Sequence, residues 1–448
     1  MAAILFCPLP LASAMNASLA IAKALRLRGH RVAFCGMKDA EAIVAPHGFE
    51  NIAVFEDWFP QGFVRTWVKG GVDRGFGWER LRFLLDERRR LLRHEAFINF
   101  LIKGGIEEFP AAVAPFAPDL ILIDSAVHTH WALAAYRTGT PCAYLNQCLP
   151  GIEDPVVPPL HSQLPPATDA AGGQAVEQAW DALFASRRRA NLAARLTGVT
   201  DWIEHLTRLA AACGYPSDRF NTRTELMPVL DLPILTMCPD AFEFPQALGR
   251  PGRHYVEAAI DLTRQEPPFP WDALDPSRAL VYVSLGSIAF SQSFLQRVID
   301  AAAAEPGWQL VVNLGTGLDA SAFTGVPSNA ILVKGTPQLR VIERAAVMVN
   351  HAGIGTVKEC IYHGVPQVAF PIFFDQPGAA ARIRYHGIGV VGDFATSTSK
   401  DIRDLVRRAL TDERIRDRAA AMSRTFREVE ERQPSMAVIE HLCRPEAR

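Results

Sequence analysis

Two periods organise the apolar and polar positions of this chain. Apolar runs of about four to six residues read as buried parallel strands, and between them apolar residues recur at helical spacing. Residues 3–7 are the first such run, 15–28 an amphipathic helix halted at Gly29-His30, and 31–35 the next strand. This strand–helix–strand opening predicts a parallel sheet with right-handed crossovers. The sheet continues at 119–123 and 142–145 with a helix at 132–137 between them, and 232–237 reads as the last strand of the first half. A second alternation starts at 279–285 and runs through 310–314, 330–333, 347–350, 368–370 and 389–391. Closing helices are expected at 401–410, 412–431 and 435–443. Two doubly wound halves predict a two-domain α/β protein with ligand in the cleft facing the strand C-termini. The expected division is 1–239, a Pro- and charge-dense linker at 240–278, a second domain at 279–430, and a closing helix at 431–448 that packs back on the first domain.

Less regular stretches interrupt this pattern. Residues 58–105 form a helical excursion rich in aromatic and basic residues, including Arg88, Arg89, Arg90 and Arg93. It reads as a flap over an acceptor, as a membrane-surface helix, or as a solvated face above the apolar core positions Leu84, Leu85, Leu91 and Leu92. A Pro-rich loop follows at 151–174, then a helical stretch at 174–213 whose Arg187, Arg188 and Arg189 are expected to face solvent.

Composition narrows the function classes. With 46 basic and 48 acidic residues the net charge is −2, which gives no global reason to expect nucleic acid. Eight cysteines without a C-x-x-C pair suit reduced thiols in a cytoplasmic protein rather than a disulfide frame or a zinc site. The apolar N-terminus has no basic residue before Lys23, so a first strand is expected there rather than a signal peptide. No apolar stretch approaches a membrane span, which leaves peripheral contact as the only membrane role.

The candidate chemistry is densest at 346–376. A short strand ends at Asn350, a turn carries His351, Gly353 and Gly355, and a helix runs from Thr356 until Gly364 and Pro366 stop it. Free N–H groups at that helix start make an anion site. Glu359, one turn in, reaches a ribose hydroxyl pair, and Asp375-Gln376 at the next strand end suits sugar hydroxyls. Phosphate, ribose and hexose together describe a nucleotide sugar.

These residues resemble the donor signature of family 1 (UDP-glycosyltransferase) enzymes of the GT-B fold. The likeness is carried by His351, Gly353, Thr356, Glu359, Gly364-Val365-Pro366 and Asp375-Gln376, with Pro337-Gln338, the 281–287 strand and turn, and Gly29-His30-Arg31-Val32. It implies two Rossmann-like domains facing across a cleft, and no cofactor beyond the UDP-sugar co-substrate. By this resemblance His351, Gly353 and Thr356 serve the diphosphate, Ser287 the distal phosphate, and Glu359 the ribose. Thr336 and Gln338 lie by uracil and ribose, and Asp375 and Gln376 hold the hexose. Fixed N–H dipoles and an imidazole can stabilise the leaving diphosphate, and the chain has no D-x-D to hold a divalent cation there.

Three positions depart from the family pattern. Gly335 stands where a tryptophan stacks on uracil, and Gly355 where an Asn is common. Ala14 takes the place of the histidine base, with Ser13 at the preceding glycine. The candidates left for the base are Asp124, which matches the partner of that histidine, then His128 and His130, or an acceptor that is already acidic. The resulting expectation is an inverting glycosyltransferase moving a hexose, glucose by default, from a UDP-sugar to a nucleophile of a lipophilic small molecule. The alternative is a catalytically impaired relative acting as a nucleotide-binding or auxiliary subunit.

Overall fold

A computed structural model describes residues 1–64, 78–124, 129–196, 201–286, 291–315 and 317–444. The first sheet runs, in spatial order, Asn51–Ala53, Arg31–Gly36, Ala3–Cys7, Leu120–Ile123, Cys142–Asn146, Ile234–Thr236 and Arg253–Tyr255. The second runs Ala330–Val333, Trp308–Asn313, Ala279–Ser284, Val347–Asn350, Gln367–Ala369 and Gly389–Val391. Neighbouring strands within both sheets are parallel. Their inner residues, such as Leu5, Ile121, Val283 and Val349, are fully buried. That is why these strands read as unbroken apolar runs: helices cover both faces.

In each sheet the strand order reverses once. The reversal falls between Ala3–Cys7 and Leu120–Ile123 in the first, where Cys7 pairs with Ile123. In the second it falls between Ala279–Ser284 and Val347–Asn350, where Ser284 pairs with Asn350. At such a point the loops leaving adjacent strand ends diverge and open a crevice for ligand. The two halves therefore present one crevice each.

The stretch expected as a linker carries more structure than its composition suggests. Arg253–Tyr255 adds an edge strand to the first sheet, with Leu235 paired to His254. Three half-buried residues among Pro, Gly and Arg leave no apolar run to see. Asn51–Ala53 escapes a sequence reading for the same reason. The final helix, Pro434–Leu442, buries Met436 and Ile439 in one cluster with Ile4, Phe6, Met15 and Leu19 of the first domain.

Two expectations about helix faces are corrected. In the helix Trp78–Ile102 the buried positions are Phe97, Ile98 and Leu101, whereas Leu91 and Leu92 are 39% and 37% exposed. The aromatic end packs on Phe55, Trp58 and Phe59, which outweighs two leucines one turn or more away. The side chains of Leu84 and Leu85, like residues 65–77 of the excursion, lie outside what is described. Arg187 does not face solvent: its guanidinium donates to the carbonyls of Thr224 and Glu225 at 2.6 and 2.7 Å. Arg188 and Arg189 are exposed.

The halves meet through buried polar contacts as well as apolar ones. Lys358 Nζ, from the helix Ile354–His363, donates to the carbonyl of Met237 at 2.6 Å. Arg382, in the helix Gln376–His386, pairs with Glu243, both side chains being 1% exposed. Gly378 N donates to Leu160 O at 2.5 Å, and a Cβ at Gly378 would stand 2.8 Å from the Leu160 backbone. Only glycine admits that approach. It seats the 150–163 loop of the first half on the first turn of the helix that Asp375-Gln376 opens.

Candidate functional site

The second-half crevice is built around His351, the residue that follows Asn350 at the strand end. Asn350 Oδ1 accepts the amide of Ala352 at 2.7 Å, while its Nδ2 donates to Gln367 Oε1 at 3.1 Å. That buried amide holds Ala352 in the left-handed region, φ 62°. A non-glycine residue there costs on the order of 1–3 kcal/mol, a strain that packing must offset. The turn carries the imidazole of His351 between two glycines. A Cβ on Gly286 would come within 2.7 Å of the ring and one on Gly353 within 2.6 Å. Gly286 also has φ +76°, so its place is doubly closed to a side chain. Burial pushes the His351 imidazole down to about 4, so it is neutral at pH 7. Its buried Nδ1 has no hydrogen-bond partner among the described residues.

Gly353 caps the helix Ile354–His363 without any side-chain hydrogen bond to the first-turn amides. Those amides, with the helix dipole behind them, stand next to the imidazole and suit an anion. Gly355 lies within this first turn, and Thr356 is buried at 8% exposure. Gln338 Nε2 reaches Thr356 Oγ1 at 3.5 Å and also donates to Glu359 Oε2. Thr336 bonds Tyr282 OH at 2.5 Å. Thr336, Gln338, His351, Gly353, Gly355, Thr356 and Glu359 thus fall along one path from the start of the helix Gln338–Arg344 to the start of Ile354–His363. Ser287 lies outside the described residues.

Asp375 and Gln376 sit at the next strand end. Gln376 Oε1 accepts the amides of Ile372 and Phe373 at 2.9 and 3.0 Å, which ties the loop and leaves its NH₂ to donate. Burial raises the Asp375 carboxyl to about 6, with a hydrogen bond from Cys148 opposing. Burial also lifts the Cys148 thiol well above its usual range, with Asp375 and Asp124 adding to it.

Asp124 stands at the reversal point of the first sheet. It is 4% exposed, its amide bonds Cys7 O at 3.1 Å, and Oδ2 accepts Leu9 N at 3.5 Å. Ala14 is buried in the helix Ala12–Leu27, five residues beyond Leu9. His130, 5% exposed, packs its ring against Phe97, His94 and Trp131 rather than standing at a strand end. His128 lies outside the described residues. Sequence reasoning also missed Arg264, whose Nη1 is 2.6 Å from Glu359 Oε1, and Glu225, which binds His161 Nδ1 at 3.0 Å and the backbone amide of His161 at 2.6 Å.

The Asp375 shift has a measurable consequence. A carboxyl that keeps its proton to about pH 6 when folded, against 3.8 ordinarily, binds protons more tightly folded than unfolded in that window. Its contribution to stability is therefore present at low pH and is lost as pH rises through 6. Asp375→Asn should flatten that part of the stability–pH curve, measured by urea unfolding from pH 4 to pH 7. An unchanged slope would remove Asp375 as its source.

Among the described residues no helix is long and apolar enough to cross a membrane, and no group of three or more His, Cys, Asp or Glu is placed to hold a metal ion. Known proteins share both fold and sequence. The solved glycotransferase of kitacinnamycin superposes with a TM-score of 0.66 at 21% identity, covering 98% of each chain. The glycosyltransferase VinC in complex with dTDP gives 0.65 at 16% identity, covering 98% of this chain and 99% of that one. The fold is thus the GT-B arrangement that the resemblance implied. In sequence, 4'-demethylrebeccamycin synthase of Lentzea aerocolonigenes is 26% identical over 323 residues, 71% of this chain and 70% of that protein. NDP-glycosyltransferase YjiC of Bacillus subtilis is 25% identical over 170 residues, 38% of this chain. Demethyllactenocin mycarosyltransferase of Streptomyces fradiae is 30% identical over 177 residues, 40% of this chain. The matched stretch spans less than half the length of the last two, 43% and 38% respectively. The profile of the UDP-glucoronosyl and UDP-glucosyl transferases matches residues 217–440, half of the chain and the whole stretch from Thr336 to Gln376. By that match, laid over the crevice at the second reversal point, the chain belongs to the UDP-glucoronosyl and UDP-glucosyl transferase family.

Proposed function

We propose that this protein is an inverting glycosyltransferase that moves a hexose, glucose by default, from a UDP-sugar to a hydroxyl or similar nucleophile of a lipophilic small molecule. The observation that carries the reading is the imidazole of His351, held between Gly286 and Gly353 beside the uncapped start of the helix Ile354–His363. A diphosphate placed there meets backbone amides, Thr356 and His351. As the C1–O bond to the β-phosphate breaks, negative charge grows on that phosphate, and preorganised donors stabilise it without reorganising. The diphosphate also makes protonation of the buried imidazole favourable, which turns a neutral ring into a charged donor. Glu359 takes the ribose, and Asp375 with the Gln376 amide takes the hexose hydroxyls. On the acceptor side the nucleophile forms its bond to C1 in line with the departing UDP, and Asp124 receives its proton. Family membership and the names of two relatives, a glycosyltransferase and a mycarosyltransferase, support sugar transfer as the reaction.

The experiment is thermal unfolding with and without UDP-glucose. Ligand at a hundred times its Kd should stabilise the protein by about 2.7 kcal/mol, and His351→Ala should abolish that protection. An unchanged wild-type melting curve at millimolar UDP-glucose would sink the donor assignment. Ala14 at the family's base position favours the second reading, a nucleotide-binding relative without turnover. Protection by UDP-glucose, with no product from any acceptor and no hydrolysis, would select it.

A further inference from the structure

Arg264 enters the donor path from the segment that joins the two domains. Its Nη1 lies 2.6 Å from Glu359 Oε1 and its Nε 3.3 Å from Glu266 Oε1. Neither Arg264 nor Glu359 is more than 15% exposed. Glu266 Oε1 also accepts the amide of Leu339 at 2.9 Å, at the first turn of the helix Gln338–Arg344. One arginine and two glutamates thus fasten the joining segment to both helices that border the path. The guanidinium is held in a fixed plane by a carboxylate on either side, while Nη2 makes no hydrogen bond to a described residue.

Beside this arginine the wall is open. A Cβ built on Gly335 would meet only Pro267 Cγ, at 3.8 Å. Pro267, three residues from Arg264, thus borders the space that Gly335 leaves next to Thr336. A nucleoside whose ribose rests on Glu359 lies beside the Arg264 guanidinium, whose Nη1 is 2.6 Å from Glu359 Oε1. Gly335 offers no side chain to that space, and the cationic fork of Arg264 reaches Glu359 from the same segment as Pro267.

We propose that Arg264 reads the base of the donor nucleotide, with Nη2 donating to the 2-carbonyl oxygen of a pyrimidine. This rests on the donor reading given above and goes beyond it by naming the selecting group. A guanidinium donor forms a charge-assisted hydrogen bond with a carbonyl oxygen, a stronger and more directional contact than a neutral one. Uracil and thymine offer that oxygen on the edge nearest the ribose. Adenine offers a ring nitrogen there and no carbonyl. The arrangement therefore favours uridine and thymidine diphosphates over adenosine diphosphate.

The test is calorimetric titration of UDP, dTDP and ADP into the full chain and into Arg264→Lys, which keeps a positive charge beside Glu359 but loses the fork. The wild type is expected to bind UDP and dTDP more tightly than ADP. The variant should lose at least about tenfold in affinity for both pyrimidine nucleotides, the scale of one charge-assisted hydrogen bond, with ADP changed less than about twofold. Arg264→Gln supplies a neutral check, and the melting temperature of each unliganded variant reports whether it is folded. An equal loss for all three nucleotides would make Arg264 a positioning residue for Glu359 and overturn the proposal. So would unchanged pyrimidine preference in both folded variants. Wild-type protein that binds none of the three overturns the donor reading itself, an outcome distinct from either.

Discussion

Arg382→Ala is expected to destabilise the protein by about 3–5 kcal/mol, because it strands a buried carboxylate without its counter-charge. The pair is 1% exposed on both sides, and Arg382 Nε lies 2.6 Å from Glu243 Oε1. The same guanidinium donates to Gly378 O at 3.0 Å and sits 4.1 Å above the ring of Phe244. Glu243 keeps Tyr255 OH at 3.2 Å and its neighbouring amide, neither of which replaces a full charge. Removing the pair together should cost much less, since the ion pair itself is not a large net gain over apolar packing. Urea unfolding of Arg382→Ala and of the double change Arg382→Met with Glu243→Leu compares the two. Equal losses in the single and double variants would show that the charge imbalance is not the cause. The helix Gln376–His386 begins at Asp375 and Gln376, the residues proposed to hold the donor hexose, so loosening it should also raise KM for the donor.

Asp124→Asn is the second large effect. Turnover should fall by about 10²–10⁴-fold, the usual range for removing a general base, while thermal protection by UDP-glucose is kept. Asn preserves the size of the side chain and its acceptor oxygen for Leu9 N, so the loss reads on proton transfer rather than on folding. Activity of kcat/KM against pH should lose its acidic limb in the variant. Full turnover in Asp124→Asn would pass the role to His128, His130 or the acceptor's own acidity. His130 itself is buried among Phe97, His94 and Trp131, which leaves it little access to an acceptor.

Much of the fold was legible because parallel strands buried on both faces are continuous apolar runs. Ala3–Cys7, Ala330–Val333 and Val347–Asn350 were read with the ends they have in the structure. Helix starts were read less well. The first helix begins at Ala12, three residues before the expected Met15, and Leu11 at its cap makes no side-chain hydrogen bond that would mark the place. The edge strands Asn51–Ala53 and Arg253–Tyr255 were missed, since half-buried edges need no apolar run. Arg187 was misread because a guanidinium at a helix surface looks the same in sequence whether it meets water or two carbonyls.

By itself the chain determined the donor motif. His351, Gly353, Thr356 and Glu359 lie within one turn and two helical turns, so their spacing alone brings them to one helix start. The strand endings at Asn350 and Ala369 similarly set His351 and Asp375 at the same edge of one sheet. What only the tertiary structure decided are the contacts between residues far apart in the chain. Gly286 against His351, Arg264 against Glu359, Glu243 against Arg382 and Leu160 against Gly378 have no local signature. Each depends on where two independently folded segments come to rest. Local spacing is set by backbone geometry of a few residues, whereas these pairings follow from the packing of whole sheets and helices.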